Sequence, residues 1–481
     1  MAASNLYSVL EEAREADKAG NHSTALIKYR LFLKYEKEDP QVWTDYAGLL
    51  LITNRFDDSL KASGQALEIS PNFEPALFNK AAALYALERF EEAKNIFIDL
   101  LVSNPDCAEF ILGLQKCLCR IGDIDSVESV ILSILNIDPC NTDVINFLIT
   151  LYISKNEIEK IKYWYEKLIN IQFKGNEFLF EKSALLLQLG EFQEGFKLYE
   201  HRPSNINGPQ FAEPRWNGEA FSGRTLLLYY EQGFGDTIMM LRYGALVKPL
   251  GGKVILKVQS SLFGLAKTCY GFDHIITDQD TLPKFDLRLP LMSLPLALRT
   301  DLNTIPNKVP YLSVPMFVKN KAPIIKRLNS SDRSKKIGLV WAGNKSYRHD
   351  KMRSISPNLL EPLEQYTRAT WYSLQRETPD IIPFNGIIPI ADLMDTFDDT
   401  AFIVSNMDLI VTVDTAIAHL AGALGKPVML MLPFIPDWRW MLARNDSPWY
   451  PSIKIYKQPF SCDWAEVIKA VLNDCDEILK N

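Results

Sequence analysis

The sequence predicts an α-helical repeat array followed by an α/β half built as two doubly wound lobes. Three observations lead there. Small and large residues recur with a period of 34 over the first two hundred positions. A stretch rich in Pro, Gly and Asn breaks that period near residue 200. Beyond it, short β-rich apolar runs alternate with helical patterns, the signature of parallel sheets.

The repeats come first. Prolines 71, 105 and 139 stand 34 residues apart, as do Phe56, Phe90, Ile124, Ile158 and Phe192. Two residues before each of the latter lies Asn54, Glu88, Gly122, Asn156 or Gly190, mostly types that tolerate a left-handed turn. Three residues after them come Ser59, Ala93, Val127, Ile161 and Gly195, and the preceding helix offers Ala13, Ala47 and Ala81, with Gln115 and Ile149 departing from the pattern. Each unit is therefore a helix, a turn, a second helix and a break. A single pair cannot bury its apolar stripe, so neighbours must stack. Period, turn and alternation resemble tetratricopeptide repeats, best kept at Trp43, Tyr46, Ala47, Phe56, Ala66 and Pro71 and degenerate from 108 to 173. About five repeats and a partial one fill residues 1–202. Such an array does no chemistry; a polypeptide partner on its concave face is the expectation.

The segment 203–223 reads as a linker or collar. A first lobe (224–330) follows, with strands expected at "TLLLYY", "KVILKV", "HIIT" and "FDLRLPL". A second lobe (331–481) carries "KKIGLVW", "TWYSLQ", "LIVTV" and "PVMLMLP", and "SVPMFVKNKAPIIKRLNSSDRS" separates the two. Two Rossmann-like lobes place a ligand cleft at the carboxyl ends of their strands.

Composition excludes several classes. Apolar residues make up 47% of the 481, charged residues 23%, and the net charge is −7, so nothing suggests a polyanion-binding surface. The N-terminus lacks a signal pattern, no apolar run is long enough to span a membrane, and the seven cysteines are scattered, so a cytoplasmic location is expected. Cys117 and Cys119 form a close pair but have no second pair to complete a zinc site. The acidic triplets "DQD" (278–280) and "DCD" (474–476) mimic a short metal-binding acid pattern but fall in a loop and a terminal helix. No metal or cofactor is expected.

Three elements of the second half carry chemistry. In "YYEQGFGDTIMMLRY" (229–243), Gly233 and Gly235 form a strand-to-helix turn that admits close backbone approach, and Asp236 caps the helix as a base or a hydroxyl-binding group. Only the first half of the dinucleotide fingerprint is present. In "LIVTVDTAIAHLAGALGKPV", Asp414 and Thr415 end a strand and open a helix, and His419 shares a helical face with Thr415. Asp414 suits sugar or ribose hydroxyls, while His419 is either a ligand contact or a core histidine. In "GLVWAGNKSYRHDKMRSISP" (338–357), Lys345, Arg348, His349, Lys351 and Arg353 concentrate positive charge in an acidic chain.

These segments, with "LPFIPDWRWMLARNDSPWYPS", resemble bacterial tetratricopeptide-repeat glycosyltransferases of the GT-B fold. The catalytic half is similar to ADP-heptose:lipopolysaccharide heptosyltransferases. The repeats resemble protein-modifying members, including flagellin glycosyltransferases and, in architecture only, eukaryotic O-GlcNAc transferases. The resemblance implies a metal-independent, inverting transfer from a nucleotide-sugar donor. It implies Asp236 as the base and Lys351 as a donor-phosphate contact, aided by Arg348 or Arg353. It implies donor binding by Asp414, Thr415, Ala416 and His419, joined by Gly235, Thr237 and Asn344; Ala416 stands where the heptosyltransferases usually have Gly. Glu231 is the reserve base, and Trp438 or Trp341 could stack on the donor. The expected acceptor is a Ser or Thr side chain held by the repeats. The alternatives are a glycan or lipid-linked acceptor and a repeat scaffold with an inactive catalytic half.

Overall fold

The left-handed turns demanded by the 34-residue period are present in the computed structural model. It describes residues 3–105, 107–121, 125–331, 335–346, 350–376, 381–459 and 463–480. Asn54, Glu88, Asn156 and Gly190 have φ of 57°, 61°, 56° and 85°; Gly122 lies outside the described residues. The pairs are Ala3–Lys18 with His22–Leu33, Pro40–Ile52 with Phe56–Ile69, and Glu74–Ala86 with Phe90–Ser103. They continue as Ala108–Ile121 with Asp125–Ile137, Thr142–Ser154 with Ile158–Gln172, and Gly175–Gln188 with Phe192–Tyr199. Local chemistry sets the ends: Pro40 occupies the first turn of its helix while Asp39 accepts from the amides of Gln41 and Val42. The small periodic positions are where paired helices touch. Ser59 and Ala47 are fully buried, and the Ser59 hydroxyl donates to the Ala47 carbonyl at 2.8 Å.

The chain divides into two compact units, Met1–Ile171 and Gln172–Asn481. The division falls ahead of the boundary at 202 that the repeat pattern suggested, because the last helix pair packs into the α/β half. Phe192 stacks on Trp449 at 5.9 Å, Phe196 meets Trp438 edge-on at 5.7 Å, and the Gln188 side-chain amide donates to the Pro436 carbonyl at 2.6 Å.

The second unit contains two all-parallel sheets. β1 (Thr225–Tyr229), β2 (Lys253–Lys257), β3 (His274–Ile276) and β4 (Leu287–Pro290) are ordered β3-β2-β1-β4. β5 (Lys335–Val340), β6 (Ala369–Ser373), β7 (Ile388–Pro389), β8 (Leu409–Val413), β9 (Val428–Leu432) and β10 (Ile453–Lys457) are ordered β10-β9-β8-β5-β6-β7. Covered on both faces, β6, β8 and β9 are buried at every residue, Thr370, Ser373 and Thr412 included, which explains their largely apolar runs.

The segment 203–223, read as a linker or collar, packs onto the first lobe: Trp216 and Phe221 are buried in its core, and the Trp216 amide donates to the Arg288 carbonyl on β4 at 2.9 Å. Gly218 is required there, since φ is +93° and a Cβ would sit 2.0 Å from the Ala297 carbonyl oxygen. The stretch before 331 is likewise ordered as the helix Lys321–Leu328. It belongs with the second lobe, where Arg327 pairs with Asp392 at 3.0 Å and the Tyr372 hydroxyl donates to the Leu328 carbonyl at 2.9 Å. Among the described residues no helix is long and apolar enough to cross a membrane.

Candidate functional site

Strand order decides where the motifs meet. In the first sheet the order reverses between β1 and β4, and the turn after β1 carries 233–236. In the second it reverses between β5 and β8, and the segments after them carry the described residues 341–346 with 350–354, and 414–416. All three segments thus lie at topological switch points, where parallel sheets open a crevice. The helices Phe234–Leu241 and Ala416–Ala423 pack together across the lobes, as do the rings of Phe234 and Phe397, 5.0 Å apart.

Asp236 is the third residue of its helix, and its Oδ2 accepts the Gly233 amide at 2.9 Å, closing the first turn. Its Oδ1 accepts from Arg439 Nη2 of the second lobe. Arg439 also donates to Asp437 at 2.7 Å and lies 4.4 Å over the Trp438 ring. Burial works against its charge, but Asp437 and Asp236 hold the guanidinium well above its ordinary range.

The glycine turn is fixed from behind. Glu231 accepts from Arg202 at 2.6 Å, with side chains 2% and 0% exposed, which makes it an anchor. The Gln259 side-chain amide donates to the Gln232 carbonyl at 2.9 Å. Thr237, expected at the donor, is buried and donates to Gln259 Oε1 at 3.0 Å. Gly235 does not open the turn to a ligand either: a Cβ there would meet His419 Cδ2 at 2.8 Å and Ala416 Cα at 3.5 Å. The glycine serves close approach of the two lobes.

His419 is a core histidine at that contact. Its Nδ1 lies 2.9 Å from the Tyr450 hydroxyl, and its ring stacks on Trp440 at 5.2 Å. Burial, and then Arg439, Arg242 and Arg353, push it well below the ordinary histidine range, so it is neutral. Arg242 is itself buried beneath the site, 4.2 Å from the Tyr450 ring, and donates to the Trp449 carbonyl.

On the second lobe, Arg353 donates to Asp350 at 3.0 Å and to the Asp414 carbonyl at 2.7 Å, bridging the cationic loop to the turn after β8. Loss of water, and then the Asp437 carboxylate, push Asp414 up to about 6 against the pull of Arg353 and Arg439. The Thr415 hydroxyl lies 3.2 Å from that of Thr412, and no side chain caps the helix Ala416–Ala423. Lys351 and Asn344 are exposed; Asn344 Oδ1 accepts from the Ser346 amide at 2.9 Å. Arg348 and His349 lie outside the described residues.

The aromatic assignments change. Trp438 is 4% exposed and packs on Phe196 and Tyr199, and Trp341 is 1% exposed in the second-lobe core, so neither presents a face to a ligand. Of the decoys, Asp278 binds Lys257 at 2.8 Å, Asp280 accepts the Thr277 amide at 2.8 Å, and Asp474 binds Lys454 at 2.6 Å. No group of three His, Cys, Asp or Glu among the described residues could hold a metal ion. Cys117 is a free thiol that burial pushes up to about 12.

Arg439, Asp437 and Arg242 were missed. The available signal for Arg439 was its place between two tryptophans, after an acid, in "PDWRWM". Arg242 had none beyond its interruption of an apolar helix.

A family model described as tetratricopeptide repeat matches residues 50–111. The chain is similar to Protein FlbA of Caulobacter vibrioides, 25% identical over 490 residues that cover 94% of this chain and 80% of FlbA. It is also similar to the Protein CTR9 homolog of Arabidopsis thaliana, 24% identical over 135 residues, 28% of this chain and 12% of that protein. A solved tetratricopeptide repeat protein from Parabacteroides merdae is 16% identical, covers 41% of this chain and 78% of its own, and has a TM-score of 0.30. The N-terminal helix pairs form a tetratricopeptide-like solenoid, followed by two parallel sheets.

Proposed function

We propose that this chain is a cytoplasmic, metal-independent glycosyltransferase of GT-B type, with the repeats holding a polypeptide acceptor. One relationship carries the reading. Two strand-to-helix turns at topological switch points face each other, one bearing the acid Asp236, the other Asp414 and an uncapped helix N-terminus. The match to FlbA supports treating both halves as one working unit, since it runs through nearly the whole chain.

In the proposed reaction a Ser or Thr hydroxyl of the acceptor passes its proton to Asp236. Its oxygen bonds the anomeric carbon from the face opposite the leaving group, with inversion. The bond between that carbon and the phosphate oxygen breaks, and its electron pair leaves with the nucleotide. Lys351, Arg353 and the first amides of the helix Ala416–Ala423 offset the charge that develops there. Asp414 receives hydroxyls of the donor.

A scaffold without transfer activity is the second reading, favoured by the closeness of the lobes at Gly235 and His419. Melting the purified chain against ADP, UDP, GDP, dTDP, CDP and CMP separates the two. A ligand at a hundred times its dissociation constant adds about 2.7 kcal/mol, and the transferase reading expects one nucleotide to raise the midpoint. No response to any nucleotide selects the scaffold.

A further inference from the structure

Each oxygen of Asp236 already accepts a hydrogen bond. One accepts the Gly233 amide and the other accepts from Arg439. The Arg439 guanidinium covers the oxygen of Asp236 that reaches toward the second lobe. Arg439 is not so exhausted. Nη1 is bound to Asp437 at 2.7 Å and Nη2 to Asp236, but Nε is buried without a hydrogen-bond partner among the described residues. The guanidinium fork matches phosphate geometry, and the Asp437 contact at Nη1 leaves the Nε and Nη2 edge for a second partner.

We propose that Arg439 is a switch between Asp236 and the anionic leaving group of the donor. In the empty chain it holds Asp236 inactive. A nucleoside diphosphate entering the cleft takes Nε and Nη2, while Asp437 keeps the guanidinium in place through Nη1. Asp236 Oδ1 is thereby freed to accept the acceptor's proton, so donor loading arms the base. The inference rests on the reading of Asp236 as the base and of this cleft as a nucleotide site.

A competitor inside the protein weakens the ligand it competes with, in proportion to the fraction of time it occupies the shared group. Removing it must tighten binding. The test is calorimetry on the full chain with the nucleoside diphosphate that raises the wild-type midpoint, comparing wild type, Asp236→Asn, Arg439→Gln and the double variant. The switch expects Asp236→Asn to bind roughly fivefold to tenfold more tightly than wild type, and expects that gain to vanish in the Arg439→Gln background. Should Arg439→Gln not fold, Arg439→Lys takes its place in the cycle, and its single point of charge must shrink the gain. Unchanged or weaker binding by Asp236→Asn overturns the switch and leaves the nucleotide site standing. A gain that persists without Arg439 also overturns it, because it reports only the loss of a negative charge. If no nucleotide binds wild type or Asp236→Asn, the cleft is not a nucleotide site and both readings fall.

Discussion

Gly235 and His419 come from opposite lobes and touch so closely that a single methyl group on Gly235 would lie 2.8 Å from the imidazole. The ring cannot retreat, being held by the Tyr450 hydroxyl at 2.9 Å and stacked on Trp440. Gly235→Ala therefore overpacks the contact. It is expected to destabilise the chain by about 1–3 kcal/mol, read as a lower urea midpoint, and a variant as stable as wild type would show that the lobes can part there freely.

Asp236 and Glu231 separate by what each loses. Asp236→Ala should leave a folded chain whose turnover is lower by roughly 10²–10⁴-fold. Glu231→Gln breaks a buried pair with Arg202 and should cost about 3 kcal/mol of stability. Stability and initial rate measured on both variants make the check. Full turnover in Asp236→Ala would remove it as the base.

Lys351 and Arg353 are expected to differ in the same way. Exposed Lys351 replaced by Ala should move stability by no more than about 0.5 kcal/mol while reducing the midpoint rise given by the bound nucleotide. Arg353→Ala loses its ties to Asp350 and to the Asp414 carbonyl, so its unliganded midpoint should fall as well. Melting scans with and without nucleotide distinguish these outcomes.

The pH dependence of stability carries two opposing contributions at the site. Asp414 is raised from 3.8 to about 6, so across that window the folded chain keeps a proton the unfolded chain has released, and stability falls as pH rises. His419 is lowered from 6.5, so below that value the unfolded chain takes up a proton the buried ring refuses, and stability falls as pH drops. Denaturant midpoints from pH 4.5 to 7 at fixed salt should show a steeper acid-side loss in Asp414→Asn and a shallower one in His419→Gln. Identical profiles in both variants would rule out this assignment.

Much of the architecture was legible in the sequence because it is written in periodicity. The left-handed turns at Asn54, Glu88, Asn156 and Gly190 and the buried small residues Ala47, Ser59 and Ala93 follow from one 34-residue repeat. The strand runs around Leu227, Val411 and Leu430 were readable because a parallel sheet covered on both faces needs nearly continuous apolar residues. The short strand Ile388–Pro389 and the helix Lys321–Leu328 were missed, because elements of such length carry little periodic signal.

The candidate site was legible in its backbone and less so in its side chains. Local spacing put Asp236 at a helix start and Asp414 and Thr415 at a strand end, and both placements follow from neighbours within a few residues. Which way Gly235, Thr237, His419 and Trp438 turn was decided by contacts from residues far along the chain, such as Gln259, Trp440 and Phe196. The sequence by itself determined the repeats, the parallel strands and the turns that carry the acids, because these depend on short-range pattern and burial. Only the tertiary structure brought Arg439 to Asp236, across 203 positions, because an ion pair between lobes depends on how two sheets dock and leaves no trace in local spacing.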